Sequence, residues 1–296
     1  MAGQNALYDK KVAEIPTVTI SCSPDDDNRK VGDILREHGF SRKLITRLKR
    51  TDSGITVGGK EVRTVDTVRT GDVITICESD LGATTPNSEL NVGILYEDEH
   101  LIVFDKPPFM PCHESIKHRG DTLSNFFAAH CPNTVFRCVN RLDRDTSGCV
   151  VVAKSRFCAN ALQKCCEKVY FGITEKMTLG GGRICAPIAR EQDSIIKRCV
   201  RADGQYAATV FSVTQRNGSY ALCRFLLETG RTHQIRCHMA HIGYALVGDD
   251  MYGSLNTQIS RQALHCGEIR FIHPITKQKL TITAPLPDDM KKLMQT

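Results

Sequence analysis

The stretch Asn140-Arg141-Leu142-Asp143-Arg144-Asp145-Thr146-Ser147-Gly148 runs directly into Cys149-Val150-Val151-Val152-Ala153. A short apolar run rich in β-branched side chains, bounded by a polar turn, reads as a buried strand. The chain must therefore fold so that a turn carrying two carboxylates and two guanidinium groups lies against the sheet this strand joins. A carboxylate held there by an arginine stays ionised at neutral pH, because the opposite charge offsets partial desolvation. Such a shielded anionic oxygen is one of the standard protein nucleophiles for carbon centres. The alternative is a surface turn with a solvated ion pair, since structural ion pairs perturb the same groups.

The 296 residues suit two domains, or one large domain with an appendage. Residues 1–15 read as a tail. A compact unit is expected over 16–78. It begins with a strand around Val18-Thr19-Ile20 and a helix through Val31, Ile34 and Leu35 that stops at Gly39. A second helix starts at the N-cap Ser41, with Leu44, Ile45 and Leu48 on its apolar side. Arg42, Lys43, Arg47, Lys49 and Arg50 make its other side basic, a plausible phosphate-contacting face, although most charge runs are simply solvated. A hairpin turn at Gly58-Gly59-Lys60 and a strand at Val73–Ile76 complete the unit. Residues 79–91 are polar and turn-rich, as in a linker, and 92–296 form the larger domain. Within it, Thr178–Arg183 reads as a hairpin turn, because it lacks the Lys-Ser/Thr ending of a phosphate-binding loop.

Composition narrows the partners. A net charge of +6 fits a nucleic acid without proving one. With no Trp and only 6% aromatic residues, a broad single-strand stacking platform is not expected. The 14 cysteines include no Cys-x-x-Cys pair, so they read as buried free thiols of a reducing compartment. His233, His238 and His241 match no common zinc spacing, and no metal is expected. Neither a signal peptide nor a membrane-spanning run is visible, so a cytoplasmic location is expected.

Three separated motifs carry a resemblance. Arg141-Leu142-Asp143 with Thr146-Ser147-Gly148, then Lys168-Val169-Tyr170, then Gly230-Arg231-Thr232-His233-Gln234-Ile235-Arg236 resemble, in order, the motifs of the RluA-type RNA pseudouridine synthases. The resemblance implies an α+β catalytic domain on a mixed, largely antiparallel sheet. It also implies Asp143 as nucleophile, Tyr170 against the target base, and Arg236 paired with Asp143. Arg141, Leu142, Lys168, Arg231, His233 and Gln234 are implied to contact substrate. Residues 16–78 resemble an S4 RNA-binding domain, loosely tethered. The implied partner is RNA, ribosomal (particularly large-subunit) rather than transfer RNA, with no membrane, no cofactor and a monomeric enzyme. Two positions depart from the pattern. Asn140 stands where His is common, which implies altered packing or RNA contact. Phe109 stands where Gly is usual after Lys106-Pro107; a Phe does not comfortably take a positive φ, so the turn is expected to differ, or not to need that angle.

The chemistry so implied breaks the C1′–N1 bond of a uridine, turns the base and forms a C1′–C5 bond, with no redox change. A non-catalytic RNA-binding factor would share the basic N-terminal face but gives no reason for Asp143, Tyr170 and Arg236 to occur together. A glycoside hydrolase or nucleosidase calls for two cooperating carboxylates; Asp145, two positions along a turn, need not face Asp143.

Overall fold

The computed structural model describes residues 17–49, 51, 53–77, 84–115, 117–253, 256 and 258–295. The expected tail, Arg50 and the first part of the expected linker lie outside the described residues. The N-terminal part holds β1 (Thr17–Ser21), α1 (Val31–Glu37), α2 (Arg42–Leu48), β2 (Ile55–Val57), β3 (Lys60–Glu61) and β4 (Val73–Cys77). Its strands form one antiparallel sheet in the order β1-β4-β2-β3. Ser41 caps α2 as the sequence suggests, its Oγ accepting the Leu44 N–H at 3.2 Å. Leu44, Ile45 and Leu48 then point into a core with Ile34, Leu35 and Ile74.

The remainder opens with β5 (Gly93–Glu97), β6 (Leu101–Lys106), α3 (Leu123–His130), β7 (Arg137–Cys138), β8 (Ser147–Ala153) and α4 (Arg156–Cys165). It continues through β9 (Glu167–Glu175), β10 (Gly181–Cys185), β11 (Ile188–Arg190), β12 (Arg198–Val200), β13 (Ala208–Arg216) and β14 (Tyr220–Leu227). It closes with α5 (Gln234–His241), β15 (Leu264–Ile272), β16 (Lys279–Thr283) and α6 (Asp288–Gln295). Among the described residues one ten-stranded sheet runs β10-β13-β14-β9-β15-β8-β6-β5, with β16 on β15 and β7 on β8. Every pairing is antiparallel except β15 with β8. The fold is therefore α+β on a mixed, largely antiparallel sheet. The ribbon β11–β12 stands apart from it.

Strand β8 is buried along its whole length. Its Val150-Val151-Val152 run is covered on both faces, which explains why the sequence there is continuous rather than alternating. The single parallel contact pairs Ser147 with His265 and Gly148 with Cys266. Gly148 has φ +106°, and a Cβ there would lie 2.2 Å from the Cys266 carbonyl oxygen. Only glycine lets the two strands approach.

Helix α4 joins the two parts. Leu162 packs into the main core, while Phe157, Cys158 and Ala159 belong to the N-terminal core. The Phe157 ring stacks on Phe40 at 4.5 Å. This continuous apolar contact replaces the loose tether expected from sequence, because both faces of α4 carry apolar residues. The Thr178–Arg183 segment is not a hairpin turn either. Gly181 and Gly182 begin β10, an edge strand that pairs with β13 rather than β9. Among the described residues no helix is long and apolar enough to cross a membrane.

Candidate active site

The loop before β8 is fixed from several sides. Asn140 is buried; its Nδ2 donates to the Cys149 carbonyl at 3.0 Å and its Oδ1 accepts from the Val151 N–H at 2.9 Å. Of the two expectations for this position, packing is the one observed. The fully buried Lys106 Nζ donates to the carbonyls of Pro107 (2.8 Å), Met110 (2.8 Å) and Arg144 (3.0 Å). Burial pushes its pKa down to about 8, yet three acceptors around one nitrogen call for the three donors of the ammonium form. Arg261 Nη1 holds the next carbonyl, that of Asp145, at 3.1 Å, while Asp289 of α6 binds its Nε at 2.7 Å and Nη2 at 3.0 Å. Ser147 Oγ bonds His265 Nδ1 at 2.9 Å. Two buried cations thus grip consecutive carbonyls just after Asp143.

Asp143 itself is accessible, its side chain 28% exposed. Arg236, on the first turn of α5, donates Nη1 to Asp143 Oδ2 at 3.2 Å. Its Nε and Nη2 bind both oxygens of the fully buried Asp249 at 2.7 and 2.8 Å. Burial opposes the Arg236 cation, but its carboxylate partners, Asp249 foremost, outweigh that and raise its pKa. His233 Nε2 lies 3.7 Å from the same Asp143 oxygen, and its Nδ1 meets the Tyr252 hydroxyl at 3.1 Å. Burial lowers the His233 pKa, opposed by Asp143. Tyr170 is buried on β9, and burial raises its phenol pKa well above the ordinary value.

A cavity of about 60 Å³ is lined by Arg141, Leu142, Asp143, Tyr170, Arg231, His233, Gln234 and Arg236, among others. The chain thus brings together eight of the nine residues that the sequence marked for catalysis and substrate. Arg141 is exposed at the cavity, and Leu142 is buried. Arg231 is exposed and donates Nε to the Tyr206 carbonyl. Gln234 is committed to protein partners: its Oε1 accepts from Thr229 and Arg231, and its Nε2 donates to Ala208 and Thr209. It shapes the pocket rather than reaching into it. Lys168, half-buried on β9, is the ninth and is not in the lining. Arg42, Lys43, Arg47 and Lys49 are exposed on and just beyond α2, apart from this cavity.

Phe109 corrects the sequence reading. It has φ +64°, the left-handed angle that the expectation withheld from a Phe. The Lys106 bonds to Pro107 and Met110 hold the turn, so the side chain yields, standing 51% exposed.

The sequence profile of the family described as RNA pseudouridylate synthase matches residues 100–241. The RNA pseudouridine synthase YjbO of Bacillus subtilis is 38% identical over 271 residues, covering 88% of this chain and 96% of that protein. This chain belongs to the RNA pseudouridine synthase family. The synthase is also similar to the ribosomal large subunit pseudouridine synthase D of Pseudomonas aeruginosa, 34% identical over 82% of this chain and 83% of the relative. The solved structure of human RNA Pseudouridylate Synthase Domain Containing 1 shares its fold, with a TM-score of 0.56 and 22% identity over 72% of this chain and 96% of that one. The synthase is thus an isomerase acting on uridine in RNA.

The sequence reading gave no site role to four groups in this synthase: Lys106, Asp249, Tyr252 and Arg261; the resemblance runs through Lys106-Pro107, Gly248-Asp249-Asp250 and Tyr252-Gly253 without assigning those side chains. Asp249 gave the clearest signal, an acidic residue beside a glycine in Val247-Gly248-Asp249-Asp250. Arg261 carried no comparable signal, because its partners are backbone carbonyls and the distant Asp289.

Proposed function

We propose that this synthase isomerises uridine in large-subunit ribosomal RNA, with Asp143 as the reacting carboxylate. The observation that carries the assignment is the convergence of Arg236 and His233 on one Asp143 oxygen, at 3.2 and 3.7 Å, beside the buried Tyr170. Arg236 aims the carboxylate. Tyr170, its proton retained, packs against the base, since an un-ionised phenol is a poor base. Asp143 lies in a recessed cavity, so the uridine must leave its stack to reach it, at a cost of a few kcal/mol. Arg141, exposed at the cavity, is free to move into the space that the displaced base leaves.

Relatives named for the large ribosomal subunit support the substrate. We assign residues 16–78 to an S4-like module whose exposed Arg42, Lys43, Arg47 and Lys49 contact phosphates, and 92–296 to catalysis. We further assign the enzyme to the cytoplasm and read it as a monomer.

The test maps pseudouridine by chemical labelling in total RNA from cells lacking the protein and from matched normal cells. Loss of one or a few large-subunit signals is expected. Loss only in transfer RNA overturns the substrate. Purified Asp143→Asn protein should bind RNA and show no turnover; substantial turnover sinks the assignment of Asp143.

A further inference from the structure

A neutral histidine has two tautomers, and the surroundings of His233 select one. The Arg198 backbone N–H donates to the Tyr252 hydroxyl oxygen at 2.7 Å. The hydroxyl's own proton then faces His233 Nδ1 at 3.1 Å, with no other acceptor in hydrogen-bond distance among the described residues. Nδ1 is the acceptor, so the ring proton belongs on Nε2. Nε2 is the nitrogen that faces Asp143 Oδ2 at 3.7 Å.

The rest of the geometry holds this arrangement. His233 has φ +57°, a left-handed conformation that costs a non-glycine residue on the order of 1 kcal/mol and persists only where its neighbours impose it. Tyr252 meets the imidazole edge-on, ring centroids 5.8 Å apart, and its face carries the Arg236 guanidinium at 5.2 Å. The groups facing His233 are Asp143, Asp249, Arg236 and Arg198; burial is the largest influence and keeps the imidazole neutral.

We propose that Tyr252 is a positioning residue of the isomerisation: it fixes His233 as the Nε2–H tautomer, so that His233 and Arg236 together address Asp143 Oδ2 and leave Oδ1 to meet the substrate. The inference rests on the assignment of Asp143 above. Among the described residues Oδ1 has no hydrogen-bond partner, whereas Oδ2 is reached from two sides. The 3.7 Å separation lies just beyond hydrogen-bond length. A small shift on substrate binding completes the bond, and no proton is transferred. Without Tyr252 the imidazole can carry its proton on Nδ1 and present a lone pair to a carboxylate, which repels it.

The experiment reads the tautomer and the rate separately. Nitrogen-15 NMR of the full-length protein, with His233 assigned by its loss in His233→Gln, should show the Nε2–H form in the wild type and a mixture in Tyr252→Phe. Turnover is followed by tritium release from ribosomal RNA labelled at uridine C5 and prepared from cells lacking the enzyme. Tyr252→Phe should lower kcat about ten- to a hundredfold, the worth of a hydrogen bond to a charged group, with KM changed less than about twofold. His233→Gln, whose amide nitrogen reaches the place of Nε2, should retain more kcat than His233→Asn, whose amide reaches only that of Nδ1. A wild-type Nδ1–H tautomer overturns the proposal, as does an unchanged kcat in Tyr252→Phe or an Asn variant as active as the Gln variant. Absence of tritium release from the wild type overturns the substrate reading instead, and the NMR result still decides the tautomer.

Discussion

Arg236 is held more closely by Asp249 than by Asp143: two bonds of 2.7 and 2.8 Å against one of 3.2 Å. The buried carboxylate thus anchors the guanidinium, and the exposed one receives the nitrogen left over. A bidentate pair fixes direction as well as charge, which a lysine in place of Arg236 does not reproduce. Asp249→Asn leaves a buried cation half-paired and is expected to cost about 3–5 kcal/mol of folding stability. It should also lower kcat at least about tenfold, as Arg236 re-aims toward Asp143. Urea denaturation and single-turnover rates measure the two effects. Wild-type values in both would show that Asp249 does not anchor Arg236.

Gly148→Ala brings a methyl group to 2.2 Å from the Cys266 carbonyl oxygen at a φ of +106°. Neither neighbour is a flexible side-chain tip, so the β8–β15 contact must open. The expected cost is at least about 3 kcal/mol, with activity lost because the loop carrying Asp143 feeds β8 directly. Thermal unfolding of the purified variant, or its absence from the soluble fraction, reports the outcome.

The turn after β6 offers the opposite case. Phe109 sits half exposed in a left-handed conformation that costs about 1–2 kcal/mol for a residue with a Cβ. Phe109→Gly is expected to raise stability by up to about 1 kcal/mol, since little packing is lost. Lys106→Met in the same turn should lower it by about 2–4 kcal/mol, because the carbonyls of Pro107, Met110 and Arg144 lose their common donor. Denaturant midpoints that move in the same direction for both variants would contradict this account of the turn.

His265 makes the fold sensitive to acid. Its Nδ1 bonds Ser147 and its Nε2 faces the Ala284 carbonyl, and burial pushes its pKa from 6.5 down to about 4. Above pH 6.5 the imidazole is neutral in both the folded and unfolded chain. As the pH falls below 6.5 the unfolded chain takes up a proton that the folded one refuses, so stability declines until the folded imidazole protonates near pH 4. The loss from this group is about 3 kcal/mol. His113, His233, His238 and His273 are shifted in the same direction and add to the decline. Urea midpoints across that range should fall with acid, and less steeply in His265→Gln. Identical slopes would place the sensitivity elsewhere.

The sequence by itself determined what depends on neighbours a few residues away. Ser41 marks a helix start because its hydroxyl reaches an N–H three residues on. The Val150–Val152 run marks a buried strand, and the resemblance carried by three motifs marks Asp143, Tyr170 and Arg236. Tertiary structure decided what depends on residues far apart. Arg236 meets Asp143 across 93 positions, and Ser147 meets His265 across 118. Those contacts follow from closing long loops and burying β8 between β6 and β15, for which no local period exists. The same holds for Phe109, whose angle is imposed by the Lys106 ammonium, and for Phe157, whose outward face becomes interior only when Phe40 stacks on it. Residue type fixes which chemistry is possible. The packing of distant apolar surfaces fixes which of those groups share a site.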